Sequence, residues 1–292
     1  MFGLDVKAIM KTLIGSYNNY QSELKSIFSK REIDFYFKIL LDYFFKWDTT
    51  FLGLNPNHEL KINQQALLKE ALLKLKEQQP IQQIVQQAHF RNLQIKVNRS
   101  VLIPRPETEE LIDWILEDYA SITKSKKVLD VGTGSGCIAI SLALENKNFN
   151  LEALDVCHEA LETARENAKN CGLDIHFYQH NILKDELKIS FDLIVSNPPY
   201  LSPHEKEYME TKVLQYEPHL ALFTPLDDPL IFYRAILNHS TKYLKPKGRI
   251  YFEINPIFFE ELITLIKTYA LFIISIRKDI FGKKRILRLI KK

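Results

Sequence analysis

Residues 191–200, FDLIVSNPPY, carry the side chains best suited to chemistry. Asn197 offers a planar amide whose oxygen accepts hydrogen bonds. Pro198 and Pro199 fix φ and have no N–H to donate, so this corner is rich in free acceptors. An –NH₂ group on an amide or aromatic amine, held by the Asn197 carbonyl and a proline carbonyl, has its nitrogen fixed with one face open to in-line attack on an electrophile. The Tyr200 ring can pack on a flat substrate group and exclude water. No general base is required, because the acceptors draw charge off the nitrogen as it attacks. An ordinary Asn-Pro turn reads the same way, so the assignment needs a partner motif.

That partner is residues 127–136, KVLDVGTGSG. Val128, Leu129 and Val131 make a buried strand, and Gly132, Thr133, Gly134, Ser135 and Gly136 follow as GxGxG before an apolar helix at Ile138, Ala139, Ile140 and Leu142. Glycines here let the backbone turn tightly and approach a ligand. A second strand, 151–154, ends in Asp155, 19 residues after Gly136. That is close to the spacing of about 20 for a carboxylate on ribose hydroxyls. Asp130 either orients the loop or the charged tail of the ligand, or caps the turn.

The elements that must present these groups alternate. Phe191–Ser196 is a short apolar run suited to a strand buried on both faces, and the prolines end it abruptly. Helix 158–170, strand 175–178, helix 230–244, strand 248–254, helix 258–269 and strands 271–276 and 286–290 complete the pattern, with 204–216 as a helix or lid. Alternating β and α elements imply a parallel, doubly wound α/β sheet, with both motifs at C-terminal strand ends. Residues 1–83 read as helical, with Ile62, Leu67, Leu68, Ala71, Leu72 and Leu75 at helical spacing and Pro80 closing the pattern. The aromatics Phe35, Tyr36, Phe37, Phe44, Phe45 and Trp47 are either the core of this bundle or a groove for a protein partner. Residues 84–104 are expected to form a hairpin linking it to a second domain, 105–292. Within the loop that opens that domain, Arg105 lies between two prolines and reads as a solvated cation.

Composition narrows the class. The chain has 292 residues, is 46% hydrophobic and 26% charged, and carries a net charge of only +3. That balance gives no global electrostatic case for nucleic acid. Eight basic residues and one acid between Arg277 and Lys292 read as a solvated hairpin or as an RNA contact. Cys137, Cys157 and Cys171 have no CxxC spacing, which argues against disulfides or zinc. His176 and His180 do not converge on a metal if they share a strand. Asp5, Lys7 and Lys11 interrupt any signal peptide, and the apolar stretch 269–276 is too short to span a bilayer. A cytoplasmic protein is expected.

GxGxG also suits nicotinamide dehydrogenases, but no hydride-transfer acid–base pair accompanies it. The cofactor that joins a nucleoside pocket to an amine nucleophile is S-adenosyl-L-methionine, leaving S-adenosyl-L-homocysteine. Four segments, VLDVGTGSGCIAI, ALDVCHEAL, IVSNPPY and LIPRPETEELIDW, together resemble the release factor glutamine methyltransferase family. NPPY alone is shared with DNA-adenine and rRNA-guanine methyltransferases; its combination with IPRPETE is more specific. The resemblance implies a seven-stranded Rossmann-like class I methyltransferase domain behind a small all-α bundle that recognises release factors. It also implies methyl transfer to the N5 amide of the glutamine in the Gly-Gly-Gln motif of peptide chain release factors.

Carried over by position, the resemblance places the cofactor on Gly132 to Gly136, Asp155, Ile182 and Asn197. The glutamine amide falls to Asn197, Pro198, Pro199 and Tyr200, with Asn197, Pro198 and Tyr200 as the catalytic set and no metal. The chain departs from the family at Ile182, where some relatives have an aromatic, and at Asn181, where an acid is common. It also lacks a glycine in 224–228. Two other readings stay open: an N-methyltransferase acting on a nucleic-acid base, and a protein-binding module with an empty pocket. Asn197→Ala is expected to lower turnover on the order of 100-fold, about 3 kcal/mol, with a smaller change in cofactor affinity. Near-normal single-turnover rates in that variant would remove Asn197 from the chemistry.

Overall fold

In the computed structural model, which describes residues 10–208, 211–225 and 228–292, the chain divides into two units at residues 86 and 87. Asp5 and Lys7 of the N-terminal reading lie outside the described residues. The first unit is built on helices α1 (Leu13–Leu24), α2 (Lys30–Phe45) and α3 (Ile62–Lys76). Ser29 and Glu32 form a reciprocal capping box at the start of α2, satisfying donors that the first turn cannot pair internally. The aromatic stretch is divided by helical phase. Phe37 is fully buried, edge-on to Tyr20 at 4.9 Å, whereas Phe35 is 59% exposed. Trp47 stacks on Phe51 at 4.4 Å. The core of this unit takes Phe37, while Phe44, Phe45 and Trp47 remain partly exposed around it.

The second unit opens with the antiparallel hairpin β1 (Gln87–Phe90) and β2 (Leu93–Lys96). This hairpin is more than a linker. Asn167, buried on helix α6 (His158–Asn170), receives the Lys96 N–H at 2.8 Å and donates to the Lys96 carbonyl at 3.0 Å. Asn98 donates to Thr163 of the same helix at 2.8 Å. The Asn167 amide thus pairs with Lys96 as a neighbouring strand would, and Asn98 anchors the chain just beyond β2.

Seven strands form the main sheet: β3 (Lys126–Val131), β4 (Phe149–Asp155), β5 (His176–Gln179), β6 (Phe191–Ser196), β7 (Leu244–Glu253), β8 (Phe272–Lys278) and β9 (Lys284–Lys291). Their order is β5-β4-β3-β6-β7-β9-β8; the first five are parallel to one another, and β9 runs antiparallel to both β7 and β8. Strand order reverses at β3, the position where open α/β sheets form a ligand crevice. Side chains alternate between two cores, as a sheet covered on both faces requires. Val128, Leu193, Val195 and Tyr251 face the core that includes helix α4 (Pro106–Asp118), helix α5 (Cys137–Glu145) and α6. Leu129, Ile194, Ile250 and Phe252 face helices α8 (Ile231–Tyr243) and α9 (Phe259–Thr268).

Between β6 and α8 the chain makes an excursion, expected as a helix or lid. It contains a 3-10 turn, Pro203–Tyr208, and helix α7, Thr211–Tyr216; residues 209 and 210 lie outside the described residues. Its two ends are joined where Leu201 pairs with Phe223. Residues 226 and 227 of the 224–228 stretch are also outside the description.

Most of the basic C-terminal segment has internal partners. Arg288 pairs with Asp118 at 2.6 Å, Arg277 with Glu117 at 2.5 Å and Lys284 with Glu260 at 3.2 Å. Lys291 donates to the carbonyls of Ser240, Thr241 and Leu244, around the end of α8. Arg277 and Arg288 also lie over the Trp114 ring. Among the described residues, no helix is long and apolar enough to cross a membrane. Phe37→Ala is expected to cost the first unit about 3–5 kcal/mol; denaturant unfolding followed by circular dichroism measures it, and a loss below about 1 kcal/mol would show that Phe37 is not the centre of that core.

Candidate active site

The register of the parallel strands assembles the site. Val131 pairs with Leu154 on one side and Ser196 on the other, and Ser196 pairs with Phe252. The next residue on each strand is therefore Gly132, Asp155, Asn197 and Glu253, in one row at the C-terminal edge. The Gly132 and Thr133 N–H groups donate to the Leu154 carbonyl at 2.9 and 3.0 Å, and the Ser196 hydroxyl to the Val131 carbonyl at 2.7 Å. These bonds carry the sheet's spacing one step past its end.

The glycine turn follows. Gly134 sits at φ 54° and gives its N–H to Asp155 Oδ2 at 2.9 Å. Asp155 Oδ1 receives the Cys157 N–H at 2.9 Å. Burial pushes the Asp155 carboxyl above its ordinary range, while these amides pull against that shift. Gly136, at φ 82°, is a different case. A Cβ there would meet Ala164 and Ile140 side-chain carbons at 3.1 Å, so this glycine brings α5 against α6. It does not line the cavity described next, although Cys137 and Ile138 do. Asn167 also donates to the Ser135 carbonyl at 2.9 Å, so the side chain that holds β2 also fixes the glycine turn.

Beneath the turn, Asp130 is wholly buried and accepts the Thr133 hydroxyl at 2.7 Å. It does not line the cavity. Of the roles open to it, orienting the loop through Thr133 is the one the structure displays. Burial pushes its carboxyl up to about 7.

Two cavities meet at the proline corner. One, about 210 Å³, is lined by Gly132, Thr133, Gly134 and Ser135, by Asp155 and Val156, by His180, Asn181 and Ile182, and by Ser196, Asn197, Pro198 and Pro199. The second, about 630 Å³, is lined by Asn197, Pro198, Tyr200, Asn255, Ile257, Lys283 and Arg285 among others. Asn197 and Pro198 belong to both walls, whereas Pro199 faces only the first and Tyr200 only the second. Ile182 is buried against the first cavity, and the Asn181 side chain caps the following turn by accepting the Leu183 N–H at 3.0 Å. Among the described residues no group of three or more His, Cys, Asp or Glu is arranged to hold a metal.

Three residues are functional neighbours that the sequence reading missed or misjudged. Arg105 is not a free solvated cation: it lines both cavities and pairs at 2.5 Å with Glu217, whose side chain is 1% exposed. That pair ties the excursion after β6 to the start of α4. Thr108 and Glu253 form a buried hydroxyl–carboxylate pair at 2.6 Å, and Asn197 Nδ2 donates to the Thr108 oxygen at 3.2 Å. The one available signal for Glu253 was an acid inside an otherwise apolar strand end, YFEI.

A first cavity with a glycine-backbone end, a carboxylate on the neighbouring strand and an apolar wall at Ile182 fits a nucleoside with a zwitterionic tail. Each Asp155 oxygen keeps a lone pair beyond its amide bond, as a ribose contact requires. Joined to the sheet order and the Asn-Pro-Pro-Tyr corner, this defines a Rossmann-like class I methyltransferase domain behind a helical one. The crystal structure of a methyltransferase from Pyrococcus furiosus shares the fold, with TM-score 0.50 at 19% identity over 78% of this chain and 98% of that one. The family description "Methyltransferase small domain" matches residues 109–218, and "PrmC N-terminal domain" matches 19–85. A release factor glutamine methyltransferase of Flavobacterium psychrophilum is 44% identical over 277 residues, 92% of this chain and 97% of the relative. Those of Bacteroides thetaiotaomicron and Lactococcus lactis are 41% and 42% identical, covering 75% and 76% of this chain and 79% and 81% of the relatives. The chain belongs to the release factor glutamine methyltransferase family.

Asp130 generates a pH prediction. Its folded value near 7 lies above the ordinary aspartate value of about 3.9, so between the two the folded protein keeps a proton that the unfolded chain has lost. Stability from this group is therefore complete at low pH and falls as pH rises through that window. Asp130→Asn can still accept the Thr133 hydroxyl but does not titrate. Its Tm relative to the unsubstituted protein is expected to rise between pH of about 4 and about 7; a difference independent of pH would contradict a buried, proton-retaining Asp130.

Proposed function

We propose that this protein transfers a methyl group from S-adenosyl-L-methionine to the side-chain amide nitrogen of the glutamine in the Gly-Gly-Gln motif of peptide chain release factors. The observation that carries this reading is the shared wall of the two cavities. Asn197 and Pro198 alone of the NPPY residues border both, so a group held by them from the second cavity faces the first. Family membership supports the same substrate. Release factors act in translation, which makes the cytoplasm the place of action.

In this reading Gly132, Thr133, Gly134 and Ser135 form the wall against the amino-acid end of the cofactor, and the first-turn N–H groups of α5 at Cys137 and Ile138, which also line the cavity, favour its carboxylate. Gly136 keeps the turn closed from behind. Asp155 accepts from the ribose, and Ile182 lies along the adenine. The chemistry that the cofactor supplies when bound is an electrophilic methyl group. The glutamine nitrogen is a weak nucleophile because its lone pair is delocalised. Asn197 and the Pro198 carbonyl accept its two hydrogens, which orients the lone pair and stabilises the positive charge that develops on nitrogen; once methylated, the nitrogen releases one of those protons to solvent. Tyr200 and Pro199 close the corner against water. Burial raises the Tyr200 hydroxyl, so it stays a neutral donor. The N-terminal unit, matched by the PrmC N-terminal domain description, is assigned to recognition of the release factor. Transfer to an exocyclic amine of a nucleic-acid base is less favoured, since the basic C-terminal side chains largely serve internal carboxylates and carbonyls.

The test is incubation with S-adenosyl-L-methionine and a purified release factor, followed by mass spectrometry of the Gly-Gly-Gln peptide. A glutamine heavier by one methylene is the expected result. An unmodified peptide, with methyl label entering RNA or DNA instead, would transfer the substrate assignment to a nucleic-acid base.

A further inference from the structure

We infer that Thr108 and Glu253 are positioning residues for methyl transfer, because together they dictate which end of the Asn197 amide is presented to the methyl acceptor. The inference rests on the reading of Asn197 given above and adds a cause for its orientation.

An asparagine amide has two ends of nearly equal shape and opposite hydrogen-bonding sense. Only the oxygen can accept from a glutamine –NH₂; the nitrogen end would oppose it donor to donor. The surroundings must therefore choose. Glu253 is 2% exposed, and its Oε2 lies 2.6 Å from the Thr108 hydroxyl oxygen. Both carboxyl oxygens of Glu253 accept, Oε2 from Thr108 and Oε1 from Tyr200, and a threonine hydroxyl has only one proton to give. Thr108 commits that proton to Glu253 and keeps only lone pairs for its other neighbour. That neighbour is Asn197, at 3.2 Å, so Asn197 must turn its –NH₂ towards Thr108. The amide oxygen is then the end left to accept. With the amide reversed, two oxygens would face each other at Thr108 with no proton between them, in a buried place where an unmet acceptor is costly.

The same carboxylate reaches the other end of the motif. Glu253 Oε1 receives the Tyr200 hydroxyl at 3.4 Å. One buried acid thus sets both the amide and the ring of the NPPY corner. Its placement follows from the sheet register, since Phe252 pairs with Ser196 and the two following residues are Glu253 and Asn197. Burial pushes the Glu253 carboxyl above its ordinary range; the hydroxyls of Thr108 and Tyr200 and the Arg285 cation on β9 pull against that shift, while Glu107 on α4 adds to it. Tyr233 of α8 uses its hydroxyl on the Glu253 backbone carbonyl at 2.9 Å and leaves the carboxylate to Thr108 and Tyr200.

Thr108→Val keeps the shape and removes the hydroxyl. Glu253→Gln keeps the shape but can donate to Thr108, which frees the Thr108 proton to hold Asn197 the wrong way round. Thr108→Ser keeps the hydroxyl. Steady-state kinetics on a release factor are expected to show kcat lowered by ~10-fold or more in Thr108→Val and Glu253→Gln, given what small misplacements cost. KM for the release factor and calorimetric affinity for S-adenosyl-L-methionine should stay within about twofold, and Thr108→Ser should recover kcat to within about threefold of the unsubstituted protein. Unchanged kcat in Thr108→Val would overturn the positioning role alone, and so would a Thr108→Ser variant as slow as Thr108→Val. If Glu253→Gln loses cofactor binding and so reports misfolding, the isosteric Thr108→Val and its serine rescue decide. No methylation by the unsubstituted protein would instead overturn the substrate reading, and this proposal with it.

Discussion

The site depends on one row of strand pairing. Leu154, Val131, Ser196 and Phe252 are aligned across four parallel strands, and the residue after each is the one that matters: Asp155, Gly132, Asn197 and Glu253. Adjacent strands lie about 4.8 Å apart, so this alignment alone sets a carboxylate, a glycine turn, an amide and a second carboxylate at regular intervals along the sheet edge. A slip of one residue in any strand would send its side chains to the opposite core and move its terminal group out of the row. Both faces of the sheet are packed, which makes such a slip expensive. The precision of the site is inherited from hydrophobic burial well away from it.

Buried polar groups then refine what the register makes approximate. For Asn167 and Glu253 the partner comes from a distant part of the chain, whereas for Asp130 it comes from the turn that follows. Asn167 of α6 holds both the Ser135 carbonyl and strand β2. The Thr133 hydroxyl meets one oxygen of Asp130, and the hydroxyls of Thr108 and Tyr200 meet the two oxygens of Glu253. These carboxylates sit where desolvation raises their pKa, and the hydroxyl donors offset only part of that cost. Retaining them makes physical sense where they orient a loop or an amide, since an apolar residue of similar volume would pack at least as well.

The C-terminal hairpin shows how charge in a sequence differs from charge at a surface. Eight basic residues in a short segment read as a solvated hairpin or as a nucleic-acid handle. Folding turns Arg277 and Arg288 onto Trp114 and the acids at the end of α4, Lys291 onto the carbonyls that end α8, and Lys283 and Arg285 onto the wall of the larger cavity. Much of the segment's charge closes the fold rather than extending a field into solvent.

By itself the sequence determined the strands, the glycine turn, the proline corner and the helical first unit. Those signals are local: β-branched runs, glycines where φ must be positive, prolines that end a strand, and helical spacing of leucines. It also offered Asp155 as a candidate through its spacing from the turn and the NPPY residues through their chemistry. Only the tertiary structure decided that Gly136 packs helices rather than lines the cavity, that the hairpin expected over 84–104 is confined to 87–96 and docks on α6, and that Arg105 is tied to Glu217. Thr108 and Glu253 were beyond sequence reasoning for the same cause. They lie 145 residues apart, and nothing local tells a threonine in a first helical turn that its hydroxyl will meet an acid at the end of a distant strand. Local propensity writes the elements, whereas pairwise polar contacts at long sequence separation exist only once the sheet has closed.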